Sequence, residues 1–140
     1  MSRPLSAAIA FVLAAGVPQL AAAQPDFATV GKVACVPDTV TNCTEPGKCT
    51  TREASARDKT QVLVIDFAGK SVSMKRGEEA RPVGKLTEDK VEGGVRTIVM
   101  VDGEPGKGRT ANMKLSKDGK LSIDFGGAGN KAEATCTAAS

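Results

Sequence analysis

The chain of 140 residues carries 19 basic and 16 acidic side chains and has no histidine, tryptophan or tyrosine. That length suits one ordinary domain. Interspersed charges and scarce rings exclude the basic, aromatic-bearing surface that grips nucleic acid, and without histidine there is no ordinary serine or cysteine triad.

Residues 1–23 read as a secretory signal peptide. Arg3 is the only charged side chain before Asp26, an apolar run covers residues 7–17, and Ala21, Ala22 and Ala23 precede the expected cut. The run is shorter than the roughly 20 residues a membrane-spanning helix needs. Cleavage between Ala23 and Gln24 leaves residues 24–140 as a single β domain. This product is expected to be soluble, periplasmic or secreted, without a membrane span, and its net charge falls by one from +3. No cysteine follows the cut, so a lipid anchor there is not expected.

Within the domain, residues 24–60 are a cysteine-bearing leader and loop, and residues 61–137 a β-meander. Residues 24–29 are expected to be loose and residues 32–36 to form a first strand. Residues 37–59 are polar and turn-rich, which suggests a stapled loop with a helical turn near residues 52–57. The four cysteines are Cys35, Cys43, Cys49 and Cys136. An even count in a small exported domain points to disulfides. Of the three possible pairings, Cys43–Cys49 with Cys35–Cys136 is favoured. Pro46-Gly47 suits the centre of a type II turn between the first pair, and the second bond would tie the first strand to the last. Chain entropy does not choose between pairings. It assigns roughly 2 kcal/mol to the short loop and about 4.7 to one of about 100 residues, and Cys35–Cys43 with Cys49–Cys136 sums alike. The absence of C-x-x-C spacing and of histidine argues against zinc.

Residues 61–67 form the strongest single strand. Leu63, Ile65 and Phe67 share one face and Val62, Val64 and Asp66 the other, so this strand is expected to be central or to meet a second layer. A strand at residues 71–76 follows, then a charged loop at 77–81. Two weaker strands are expected at 82–86 and 89–92, and a strong one at 95–102. There Val95, Thr97, Val99 and Val101 oppose Arg96, Ile98 and Met100. After a polar loop at 103–109, residues 113–125 read as a hairpin. Met113, Leu115, Leu121, Ile123 and Phe125 are set to one face by period-two alternation. Asp118-Gly119 suits its turn, because both residues tolerate positive φ. Residues 131–137 close the domain with Ala132, Ala134 and Cys136 on one face. The expected fold is all-β: an antiparallel meander of seven or eight short strands forming a small barrel or sandwich, with a disulfide-stapled N-terminal loop.

Chemistry is sparse. Asp66 and Asp124 are the carboxylates that a catalytic pair would need, and both also suit the wet face of a strand. Gly106-Lys107-Gly108 breaks the G-x-x-x-x-G-K-[ST] phosphate-loop pattern and precedes no helix. No cofactor, metal or catalytic residue is expected. The candidate partner-binding residues lie on two loops: Glu104, Lys107 and Arg109 on one, and Arg76 and Arg81 on the other.

The order of features resembles small periplasmic β-domain proteins of proteobacteria. These combine a signal peptide, a cysteine-bearing N-terminal segment, hairpins like Leu115-Ser116-Lys117-Asp118-Gly119-Lys120-Leu121 and a late cysteine like Cys136. More distantly it is similar to periplasmic inhibitors of C-type lysozyme, small barrels in which an early and a late cysteine are bridged. Where those inhibitors carry a Ser-Gly and tyrosine signature, this chain has Glu92-Gly93-Gly94-Val95. No inhibitory residue transfers. The expected function is a non-enzymatic exported protein that binds a protein or cell-envelope component through its loops. The alternative is a carrier with a small apolar ligand inside a barrel.

Overall fold

The structure, a computed structural model, describes residues 25–103 and 107–140. Residues 1–23, the segment expected to be a signal peptide, and Glu104 lie outside the described residues. Strand β1 spans Lys32–Glu45, β2 Lys48–Glu53, β3 Gln61–Asp66, β4 Ser71–Arg76 and β5 Glu79–Glu92. They are followed by β6 Val95–Asp102, β7 Arg109–Leu115, β8 Lys120–Asp124 and β9 Lys131–Ala138, with one helical turn, α1, at Ala56–Lys59. Neighbours pair antiparallel in the order β2-β1-β3-β4-β5-β6-β7-β8-β9, and β1 also pairs β9. Eight strands therefore close into a barrel, and β2 adds to it outside the ring. Closure removes most open edges.

The two long strands make closure possible. In β1, residues 32–35 pair with β3, while residues 39–45 pair with β2. In β5, the first half pairs with β4 and the second with β6. Register shifts between Pro37 and Thr39 and between Leu86 and Glu88 mark extra residues. Such bulges bend a strand and tighten its twist. Four expectations are corrected here. Residues 37–53 are largely strand and turn rather than loop, because Pro37 and Asp38 sit at a bulge and the polar residues after them face water on a hairpin. Residues 82–86 and 89–92 are parts of one strand, interrupted only by the bulge at Thr87. The charged segment 77–81 is likewise a two-residue turn followed by the start of β5. The helical turn begins at Ala56, later than expected, where Ser55 and Asp58 cap it reciprocally.

Alternation sorts the side chains. Val33, Cys35, Ile65, Val72, Ile98, Met113, Leu115 and Leu121 are almost wholly buried inside the barrel. The second apolar set of β3, Val62 and Val64, is half-buried on the outer wall, and among the described residues no second layer covers it. The Cys35–Cys136 bond joins residues directly opposite in the β1–β9 ladder, and Cys43–Cys49 does the same in the β1–β2 hairpin. In the hairpin of β7 and β8 the four strand residues Met113, Leu115, Leu121 and Ile123 face inward as expected. Its turn differs from expectation: Gly119 takes φ 84 but Asp118 does not adopt positive φ. Gly119 N–H donates to Ser116 O at 3.1 Å, and Ser116 N–H to Lys120 O at 2.9 Å. This is a turn with one left-handed glycine, not the two-residue type I′ turn.

One end of the barrel is plugged. Arg96 lies in phase with Ile98 and Met100, so its side chain enters the barrel, and the residue is only 7% exposed. It donates through Nε and Nη2 to the two oxygens of Asp89 at 2.6 and 2.7 Å. Its Nη1 donates to the carbonyls of Val30 at 2.8 Å and Phe27 at 3.3 Å. The guanidinium carbon lies 3.3 Å from the centroid of the Phe67 ring, a cation–π contact. The segment expected to be a loose leader is thus an ordered stopper. Thr29 and Val30 N–H groups close a turn on Asp26 O, and Phe27 is buried in the core.

Candidate functional site

Among the described residues, the end opposite the plug is open. The antiparallel order brings the β1–β2 hairpin, the β4–β5 turn, the β6–β7 loop and the β8–β9 loop to this end, whereas the plug and the β3–β4, β5–β6 and β7–β8 turns gather at the other. The two segments singled out in the sequence, around Arg76 and Arg81 and around Lys107 and Arg109, therefore lie at the same end of the barrel.

The mouth holds a recess of about 500 Å³. Val40 on β1 stands across the barrel from Val83 on β5 and Met100 on β6, with Ala111 on β7 and Phe125 completing an apolar lining. Among the described residues, its charged lining is Asp102, Arg109 and Lys131. Alternation accounts for the placement: Asp102 is in phase with Met100, and Arg109 with the buried Ala111. The two are direct partners in the β6–β7 ladder. Gly108 permits this approach, because a Cβ there would come within 1.7 Å of Asp102 O.

Phe125 falls just beyond β8, where its N–H donates to Asn130 O at 3.0 Å. It keeps the inward phase of Leu121 and Ile123 but stands above the packed interior, and it is 48% exposed. Gly126, Gly127 and Gly129, all at positive φ, fold the loop behind it. Asn130 Oδ1 accepts from Cys43 N–H at 2.7 Å, which fastens this loop to the stapled β1–β2 hairpin. One wall of the mouth thus consists of a disulfide-held hairpin and a glycine loop docked on it.

A smaller hollow of about 130 Å³ lies on the far side of the mouth among Gln61, Met74, Arg76, Glu79 and Arg81. Arg76 stands opposite Glu79 and Arg81 opposite Met74 in the ladder. Near this end, Arg52 donates to Asp58 at 2.6 Å. That bond, with a further one from Ser55 N–H, holds the Asp58 carboxyl well below the usual carboxylate range. At the plugged end the Ser116 hydroxyl likewise lowers Asp118.

The sequence candidates separate clearly. Arg109 lines the larger recess, Arg76 and Arg81 the smaller, and Lys107 belongs to the adjoining loop. Asp66 lies at the plugged end, accepting from Gly69 N–H at 2.8 Å, and Asp124 at the open end, accepting from Gly126 N–H at 2.8 Å. They are at opposite ends of the barrel and form no carboxylate pair. All four thiols are consumed in disulfides, as expected of an oxidising compartment. No helix among the described residues is long and apolar enough to cross a membrane. Sequence reasoning missed the roles of Phe125 and Arg96. For Arg96 the signal was present, since it shares phase with Ile98 and Met100.

No family model, curated protein or solved structure matches the chain.

Proposed function

We propose that this is an exported, non-enzymatic binding protein of the cell envelope that takes its partner at the open end of the barrel. The observation carrying this reading is the asymmetry of the two ends. One is sealed by Arg96 and Phe27, and the other gathers four loops around a recess of about 500 Å³. Ligand sites of barrels occur at their mouths, in cavities of roughly 300–1,000 Å³ with an apolar lining and few polar groups. Both disulfides support export, and cleavage between Ala23 and Gln24 would leave Phe27 close to the new N-terminus and free to plug the barrel. Separation of Asp66 from Asp124 removes the one carboxylate pair that favoured an enzyme. The test is photo-crosslinking in the host's envelope, with the reactive residue at Phe125 or at Lys117. Adducts from position 125 and none from 117 support the reading, whereas equal yields from both ends contradict it.

The carrier reading has one observation in its favour. The lower interior is filled by Ile65, Ile98, Leu115 and Leu121, yet the packing stops short of Phe125. Any ligand held within the barrel would therefore sit in the mouth and not on the barrel axis below it.

A further inference from the structure

We infer that the mouth recess binds a small amphipathic organic anion, its apolar body against Phe125, Met100, Val83 and Val40 and its anionic group on Arg109. This deepens the open-end reading and rests on it. The recess has walls from opposite sides of the barrel, so a ligand entering it is enclosed rather than laid on a flat surface. Phe125 is the largest exposed apolar side chain among the described residues, and it stands at this lip. An exposed ring over an apolar recess gains by covering with apolar area.

The sign of the ligand follows from the lining. Among the described lining residues, Arg109 and Lys131 stand with one carboxylate, Asp102, an excess of one positive charge. The Arg109 side chain makes no hydrogen bond or ion pair among the described residues, so its planar fork is available for bidentate contact with a carboxylate or a sulfonate. A cationic ligand would meet two like charges, and a neutral one would leave Arg109 unused. The β8–β9 loop that carries Phe125 is fastened to the stapled hairpin through Asn130, so the lip is held in place before binding, which lowers the ordering cost.

The test uses the oxidised full domain and three probes of equal chain length: decanoate, decanol and decyltrimethylammonium. The reporters are the methionine methyl resonances. Met100 lines the recess, Met74 the smaller hollow, and Met113 is buried below both. Decanoate should shift Met100 and leave Met113 unmoved. Arg109→Gln should weaken decanoate by roughly three- to tenfold and leave decanol unchanged. Phe125→Ala should weaken both, and at an exposed position it should still fold. If decanol and the ammonium probe bind as tightly as decanoate, the anionic class is overturned while the recess stands as a site. If no probe moves Met100 at millimolar concentration, the small-ligand inference is overturned. Adducts from position 125 in the envelope would then show that the open-end reading survives with a macromolecular partner, and their absence would remove both.

Discussion

Replacing Arg96 by methionine should unplug the barrel at a cost that can be worked from its contacts. The substitution removes two charge-assisted bonds to Asp89, at 2.6 and 2.7 Å, and the donors to Val30 O and Phe27 O. Breaking a buried pair by deleting one partner costs about 3–5 kcal/mol, because the other charge is stranded. The Asp89 side chain is 29% exposed and can regain some water, which favours the lower part of that range. Loss of the Phe67 cation–π contact adds about 0.5–2 kcal/mol, partly offset by the methionine thioether packing on the same ring. The expected net loss is about 3 kcal/mol. Urea unfolding of the oxidised protein reads it directly: with a slope of about 1–3 kcal/mol per molar, the midpoint should fall by about 1–3 M. The double variant Arg96→Met with Asp89→Leu should recover part of the loss, since no charge is then stranded. A loss below about 1 kcal/mol, or a double variant no more stable than Arg96→Met alone, would refute the argument that this pair seals the barrel.

Other substitutions test separate parts of the fold. Gly119→Ala combines strain at φ 84 with a Cβ only 2.8 Å from both Cys136 O and the Phe27 ring. It should destabilise by about 1–3 kcal/mol in thermal unfolding, and a neutral result would contradict the tight approach of this turn to the plug. Replacing Cys35 and Cys136 together by serine should cost about twice as much as replacing Cys43 and Cys49, from loop entropies of about 4.7 and 2 kcal/mol; equal losses in urea would count against that model here. The Asp58 carboxyl should titrate below the ordinary value of about 3.9 by carbon-detected NMR, because the Arg52 bond favours its ionised form. Its folded value is depressed, so the stability it adds is present above the unfolded value and fades as pH falls through the folded one. Arg52→Gln should return the midpoint toward 3.9, and an unchanged midpoint would dismiss Arg52 as the main cause.

Period two carried most of the fold into view. Met113, Leu115, Leu121 and Ile123 alternate with polar residues and line the interior, and the spacing of turns implied an antiparallel meander. The cysteine pairing was legible from Pro46-Gly47 and from the value of tying first strand to last. Barrel closure was not legible, because it depends on the bulges at Asp38 and Thr87, and no single residue type announces a bulge. The polar run after Pro37 hid β2 for a related reason. An outlying hairpin has both faces in water, and alternation is lost when neither face is buried. Arg96 was obscured by its charge, which outweighs phase in a reading by polarity even though Ile98 and Met100 share its face. Arg76, Arg81, Lys107 and Arg109 were identifiable one by one as loop candidates, but the first two and Arg109 are strand residues flanking the loops, and their gathering at one end is a property of the closed topology. Phe125 looked like one more core residue. It is a lip residue because β8 ends at Asp124 and three glycines turn the chain away from the barrel.

The central claim is that the open end holds something and the plugged end does not. Native mass spectrometry of the protein purified from its host's envelope without reductant addresses it most directly, comparing the wild-type chain with Phe125→Ala. The account predicts the mass of residues 24–140 with both disulfides intact, carrying an adduct that leaves on denaturation and is depleted when Phe125 is replaced. An adduct retained undiminished by Phe125→Ala, or a wild-type chain that emerges bare, would contradict it.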